Sequence, residues 1–259
     1  MSEDIRYEIS EELSCLNALI KEYGGVDSYT TAQAVTIFEL ICIMVRKLGL
    51  NPECRSDFFE GVCQIFNLQF VNMENYEHGK YVFVPNHVSE FDGVLFGIII
   101  PHMLVVAKSD WVSNPRLNGF VEKFFSIVGV RRKDKSSGMD VIRRCIDHLD
   151  KSNDSAVTIF VQQTIADIEI TTPEDVASGA YFIAKKTSAH IIPVYCEQVS
   201  TENPTRIVFG RPLICTDKND FGTAWLRSEL ALRDSITTPT ARPPMLCEKH
   251  KKPISQREF

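Results

Sequence analysis

The sequence lacks the marks of several function classes. No cysteine pair stands at C-x-x-C spacing and no cysteine lies at zinc-finger spacing from a histidine, although the chain holds 8 cysteines. That pattern excludes the common zinc and dithiol frameworks, and no metal is expected. Several of the cysteines sit in apolar runs, as buried thiols do, so the chain reads as reduced and cytoplasmic. The opening residues, MSEDIRYEISEEL, contain no apolar core of the kind a secretory leader has. Nothing reaches the ~20 consecutive apolar residues of a bilayer span. Residues 34–45 are too few and include Glu39, and Pro101 and His102 interrupt residues 94–106. Membrane contact is therefore expected to be peripheral at most. An excess of positive charge is also missing. The net charge is −6, so bulk electrostatics exclude a nucleic-acid binder. There is no G-x-S-x-G elbow, which sets aside a serine hydrolase and leaves Ser89 unconvincing as a nucleophile. Internal repeats and low-complexity tracts are absent.

What remains is an ordinary globular composition. The 259 residues are 44% hydrophobic and 24% charged, enough for one large domain with a small extension. Residues 1–75 read as helical, with periodic runs over 5–23 and 31–48 closed by Gly24-Gly25 and Gly49, and a third helix over 57–66. The character changes at Lys80. Short apolar runs predict strands over 81–84, 103–107, 126–130, 156–161 and 191–196, with an edge strand over 205–209. Helices are predicted over 91–99, 115–125, 138–150, 173–186 and 222–234. This alternation implies an α/β fold: a largely parallel central sheet flanked by helices, with an N-terminal helical extension. The chain divides into a helical region over 1–75, an α/β domain over 76–236, and an irregular tail over 237–259 that holds four prolines.

Charge is unevenly placed. Residues 108–144 carry nine Lys/Arg against four Asp/Glu, and residues 145–199 carry three against eight. The asymmetry reflects either different partners at different faces or alternating solvated helix surfaces.

Chemistry concentrates in residues 81–92, YVFVPNHVSEFD. A buried strand ends, Pro85 breaks it, and Asn86-His87 follow at the strand's carboxyl end, where open α/β sheets bind ligands. Asp92 stands five residues after His87, just inside the next helix, so its carboxylate can swing back to the imidazole. A carboxylate on one ring nitrogen fixes the tautomer and leaves the other nitrogen free to take a proton. The bland alternatives are a structural histidine capping the helix, and an Asp92 that only favours a helix N-terminus.

The Asn86–Asp92 block resembles motif one, N-H-x-x-x-x-D, of the lysophosphatidate acyltransferases in the PlsC-like glycerolipid acyltransferase superfamily. Further motifs follow in order. Val128-Gly129-Val130-Arg131-Arg132 resembles motif two. Thr158-Ile159-Phe160-Val161-Gln162-Gln163-Thr164 occupies motif three, normally F-P-E-G-T-R-S, and Ile191-Ile192-Pro193-Val194 resembles motif four. The resemblance spans about residues 76–215. Motif three departs most: only Phe160 and Thr164 match, while Val161, Gln162, Gln163 and Ile165 replace its proline, glutamate, glycine and arginine. The basic residue that the family places downstream before a glycine is Ser178 here, followed by Gly179. Nearby lie the acidic residues Asp167, Glu169, Glu174 and Asp175.

The resemblance implies an acyltransferase that needs no metal and no cofactor beyond its co-substrate. His87 would deprotonate an acceptor hydroxyl or amine as it attacks a thioester carbonyl, with Asp92 supporting the imidazolium. The donor would be acyl-coenzyme A or acyl carrier protein, with Arg131, Arg132 and Lys133 expected to hold its phosphates. Gln162, Gln163 and Thr164 are expected to contact the acceptor. Loss of the motif-three cation implies a small acceptor without phosphate, so specialised metabolite acylation stands beside lipid metabolism. Two rivals stay open: a conventional lysophosphatidate acyltransferase with a rewired phosphate site, and an inactive relative that binds acyl carriers. For Arg131–Lys133 a solvated strand end competes, and for Gln162-Gln163 plain core-edge amides. Phe58, Phe59, Phe124 and Phe125 read as core in preference to acyl-tunnel lining.

Overall fold

Val82, Phe83 and Val84 are fully buried at the centre of a seven-stranded sheet. The computed structural model describes residues 9–23, 31–76, 78–89, 92–100, 102–115, 124–131, 134–199 and 201–237. The strands are β1 (Leu68–Val71), β2 (Lys80–Pro85), β3 (Met103–Lys108), β4 (Ser126–Val130), β5 (Ser155–Thr158), β6 (His190–Cys196) and β7 (Thr205–Phe209). They lie in the order β1-β7-β6-β2-β5-β3-β4. Every neighbouring pair is parallel except β6 and β7. The fold is α/β with a largely parallel sheet, as the alternation of strands and helices implied.

Helices cover both faces, as a parallel sheet requires. On one face lie α1 (Ser10–Tyr23), α2 (Thr31–Lys47), α3 (Arg55–Ile65) and α4 (Asp92–Ile99), whose apolar side chains join Phe83, Ile192, Ile207 and Phe209 in one core. On the other lie α6 (Lys135–Asp150), α7 (Gly179–Thr187) and α8 (Lys218–Thr237), packed on Val82, Val84, Val157 and Ile191. The period-two alternation of β2 sends Phe83 to the first face and its two valines to the second. The short α5 (Ser109–Ser113) follows β3. It can approach β4 because Gly129 has no side chain: a Cβ there would fall 2.9 Å from the Ser109 backbone.

Three sequence expectations change. Residues 68–71 lie inside the region read as helical, yet they form edge strand β1, in parallel register with β7 from Leu68↔Thr205 to Val71↔Val208. Strand β5 stops at Thr158 because the chain turns at Val161–Gln162. The single helix expected over 173–186 is split into a 3-10 turn at Pro173–Asp175 and α7. Asp175 accepts both the N–H and the hydroxyl of Thr172, closing that turn as a capping box. The Gly24-Gly25 stop, most of the helix expected over 115–125 and the tail beyond residue 237 lie outside the described residues.

Candidate active site

Parallel strands put their carboxyl ends on one edge of the sheet, and β2 ends there in Asn86 and His87. Asn86 continues the sheet with its side chain. Its Oδ1 accepts the Cys196 N–H at 2.7 Å and its Nδ2 donates to the Cys196 carbonyl at 3.0 Å. An amide is the group that can do both at once. The asparagine thereby pins the end of β2 to β6 and fixes where the next residue starts.

His87 Nδ1 lies 3.1 Å from Asp92 Oδ2. The same oxygen accepts the Val88 N–H at 2.8 Å and the Ser89 N–H at 2.9 Å, while the Ser89 hydroxyl donates to Oδ1 at 2.7 Å. Asp92 is 1% exposed, and a buried carboxylate without donors costs several kcal/mol. The three donors beside the imidazole offset that penalty. They also hold the carboxylate in the orientation that meets His87. A carboxylate only accepts, so Nδ1 donates to Asp92, and Nε2 is the ring nitrogen outside that contact. Ser89 supports Asp92 through both its N–H and its hydroxyl.

Three contacts from the motif-three segment complete the setting of His87. The Phe160 ring lies against the imidazole in a tilted contact, with centroids 4.4 Å apart and planes 30° apart. The His87 N–H donates to Gln162 Oε1 at 2.8 Å, and the His87 carbonyl accepts the Ala166 N–H at 3.2 Å.

His87 opens onto a cavity of about 650 Å³. Its wall is mostly apolar, with Val105, Trp111, Phe125, Ile127, Ile142, Ile159, Phe160 and Ile183, and it includes Lys108, Arg131, Asp134, Gln163 and Ser178. Asp134 caps α6 by accepting the Ser136 and Ser137 N–H groups. The Ser136 hydroxyl first, then the Ser137 amide, hold its carboxyl below the usual aspartate range. Arg131 Nη2 lies 3.4 Å from Asp134, and its side chain is otherwise in solvent. None of the described cysteines belongs to the lining, and all are free thiols. Burial pushes the Cys145 thiol up to about 12.

The residues singled out in sequence thus have different fates. His87 and Asp92 meet. Arg131 lies on the cavity wall, while Arg132 and Lys133 lie outside the described residues. Gln163 is exposed and lines the cavity, but Thr164 is half-buried and outside the lining. Gln162 is 6% exposed and its amide is held by His87, Ala166 and Thr171. The expected acceptor contact at Gln162 would have to compete with those bonds. The acidic residues also have other roles. Asp167 caps the Glu169 N–H, Glu169 pairs with Arg233 at 2.8 Å, and Asp175 closes its turn. None of them lines the cavity. Phe125, read as core, does line it. Lys108 escaped the sequence reading. Its signal was a lone charge ending an apolar strand at the ligand edge.

The histidine–carboxylate pair at the carboxyl edge of a parallel sheet, opening onto an apolar cavity, defines the class. The profile of the family described as Acyltransferase matches residues 67–197, just over half of the chain. The chain belongs to that family and is an acyltransferase. No curated protein matches it. Among solved structures it is similar to the crystal structure of the 1-acyl-sn-glycerophosphate (LPA) acyltransferase PlsC from Thermotoga maritima. The identity there is 13%, with 92% of this chain and 95% of that chain covered and a TM-score of 0.49.

Proposed function

We propose that this acyltransferase moves a fatty acyl group from acyl-coenzyme A or acyl carrier protein to the hydroxyl or amine of a small acceptor without phosphate. The observation that carries the reading is the His87–Asp92 pair at 3.1 Å, placed at the mouth of the apolar cavity. His87 Nε2 takes the acceptor's proton as its oxygen or nitrogen attacks the thioester carbonyl; the C–S bond then breaks and the leaving sulfur takes that proton from the imidazolium, departing as a thiol. Asp92 supports the imidazolium formed in that step. The cavity receives the acyl chain. Lys108 and Arg131 lie on its β3–β4 side, where cations suit the phosphates of a pantetheine carrier.

The acceptor assignment is supported by the other side of the site. No lysine, arginine or histidine occurs between Lys151 and Lys185, and Ile165 stands where the family has its arginine. A phosphate monoester brought to that segment finds no cation supplied by the segment itself to replace its water. Gln163 offers it a neutral amide that both donates and accepts. A second reading, a conventional lysophosphatidate acyltransferase, is favoured by Lys108 and Arg131 if those cations hold the acceptor's phosphate. The protein is proposed to be cytoplasmic, at most peripheral to a membrane. No helix among the described residues is long and apolar enough to cross one.

One experiment tests the base and the acceptor together. A single acyl-coenzyme A is offered with a mixture of amino acids, amines, sugars, glycerol 3-phosphate and lysophosphatidate, and products are read by mass spectrometry. Acylation of a phosphate-free compound is expected, and His87→Ala should lower its rate by roughly 10²–10⁴-fold. Preferential acylation of lysophosphatidate transfers the protein to the second reading. Near-full activity in His87→Ala removes the histidine from the mechanism.

A further inference from the structure

Three features compete outside the reacting pair: the buried, unpartnered carboxyl of Glu229, the exposed apolar residues Met139, Ile170 and Phe182, and the amide of Gln162. The first is not in the lining of the cavity at His87, and nothing shows what would cover the second. The third is built into the site, and its geometry has a direction.

We infer that Gln162 is a positioning residue, whose amide clamps the His87 backbone to the motif-three loop and so holds the imidazole against Asp92. The inference rests on the reading of His87 as the base. Gln162 Oε1 accepts the His87 N–H at 2.8 Å. Its Nε2 donates to Thr171 Oγ1 at 2.7 Å and to the Ala166 carbonyl at 3.2 Å. The Thr171 hydroxyl gives its own proton to the Asp167 carbonyl at 2.9 Å, so towards Gln162 it can only accept. Ala166 in turn donates its N–H to the His87 carbonyl at 3.2 Å. The peptide groups on both sides of the His87 Cα are therefore tied to one loop, the N–H through the Gln162 side chain and the carbonyl through the Ala166 backbone, which the Gln162 amide holds in turn.

The order of donors and acceptors demands an amide. One oxygen must accept from His87 while the other atom supplies two protons, one to a carbonyl and one to a hydroxyl whose proton is already committed. The family's glutamate, ionised at this position, would set a negative oxygen against the Ala166 carbonyl. In the protonated form it would supply one proton where two are used. Glutamine at 162 is thus matched to this chain's own Thr171 and Ala166, and the departure from the motif-three pattern has a structural function. The amide is 6% exposed, with its oxygen and its Nε2 protons engaged by His87, Ala166 and Thr171.

The test reads the imidazole itself, so it does not depend on knowing the substrate. Protein with isotope-labelled histidine is compared by NMR as wild type, His87→Asn, Gln162→Ala, Gln162→Glu and Thr171→Val. The signal lost in His87→Asn assigns the His87 ring. The wild-type Nδ1–H should exchange slowly with solvent, as a buried proton bonded to a carboxylate does. In Gln162→Ala its exchange should speed about tenfold or more, with the other histidine signals unmoved. Thr171→Val should give a smaller increase. Gln162→Glu should exchange near the wild-type rate in acid, where the glutamate is protonated, and faster as pH rises. Unchanged exchange in Gln162→Ala, or wild-type exchange at every pH in Gln162→Glu, overturns the inference. If Gln162→Ala does not fold, Gln162→Glu and Thr171→Val decide it by the same outcomes. Failure of both of these to fold would also overturn it, by making Gln162 a core residue with no specific hold on His87. An active His87→Ala alongside faster exchange in Gln162→Ala would leave the clamp standing and remove only the base.

Discussion

Gln163 holds a left-handed backbone, φ 62°, at the position where the family has glycine. A side chain in that region costs roughly 1–2 kcal/mol, which glycine avoids while losing about 0.5–1 kcal/mol of chain entropy. Strain kept beside the proposed base indicates a side chain with work to do there, and Gln163 lines the cavity. Gln163→Gly should therefore leave stability unchanged or raise it by up to about 1 kcal/mol, while turnover with the preferred acceptor falls. Thermal denaturation and steady-state kinetics on the same preparation check this. A variant with full activity would mean that the glutamine is retained for nothing in the reaction. Residue-scale chemistry was legible in sequence where it is local. His87 and Asp92 lie five positions apart, and one helical turn closes the gap. Gln162 was not legible in the same way. Its amide meets His87 across 75 residues of chain, so sequence showed only that an unusual amide was present, not which way it faced.

At the scale of elements, α8 lays Phe221, Trp225 and Glu229 along one stripe four residues apart, and all three are fully buried. Trp225 is satisfied: its Nε1–H donates to the Val84 carbonyl at 2.8 Å, tying the helix to β2 just before the site. Glu229 is not, since neither of its oxygens has a hydrogen-bond partner among the described residues. Burial raises its carboxyl well above the usual range, and the nearby Val194 backbone offsets this only in part. The folded state therefore holds this proton more tightly than the unfolded chain, where glutamate titrates near about 4.3. The residue is least unfavourable below that value. Stability then declines as pH climbs towards the raised folded value, because there the unfolded chain has released a proton that the folded one retains. Glu229→Met keeps the volume and removes the carboxyl, so it should raise the melting temperature, and by more at pH 8 than at pH 5. The gain corresponds to roughly 1–3 kcal/mol, the penalty for a buried polar group without a partner. Melting curves at both pH values check it; a variant less stable at both would show that Glu229 has a partner. Elements were legible where periodicity ran long enough, as in α2, α6 and most of the sheet. Strand β1 was missed because four residues, Leu68 to Val71, carry too few alternations to stand out beside a helix. The split before α7 was missed because a capping box made by Thr172 and Asp175 overrides the apolar pattern around it.

For the whole molecule, the N-terminal helices and the sheet share a core. Phe58, Ile65, Phe66 and Leu68 are buried with Phe83, Ile192, Ile207 and Phe209 in one cluster, and the Phe58 ring stacks on Phe124 at 4.8 Å. Strand β1 adds a backbone connection, pairing with β7 along its length. Reading residues 1–75 as a separate helical region follows the change in sequence character at Lys80, but packing does not stop there. Removing those residues would uncover much of the four sheet side chains just named, although Phe83 and Phe209 keep each other and Tyr76 as neighbours. Each contributes about 1.5–3 kcal/mol by full burial, so the loss is at most roughly 6–12 kcal/mol before the edge strand is counted. A domain's entire stability is only about 5–15 kcal/mol. A fragment comprising residues 76–259 should therefore fail to fold cooperatively, although it contains His87, Asp92 and every cavity-lining residue named above. Circular dichroism during heating should show no sharp transition, and a dye that binds exposed apolar surface should light up at room temperature. A sharp melt with native-like acyl transfer would show instead that the sheet carries its own stability and that the N-terminal helices only shield one face. The two outcomes separate a structural requirement from an accessory cover, because both activity and cooperativity depend on the same buried face of β2, whose last residue leads through Asn86 to His87.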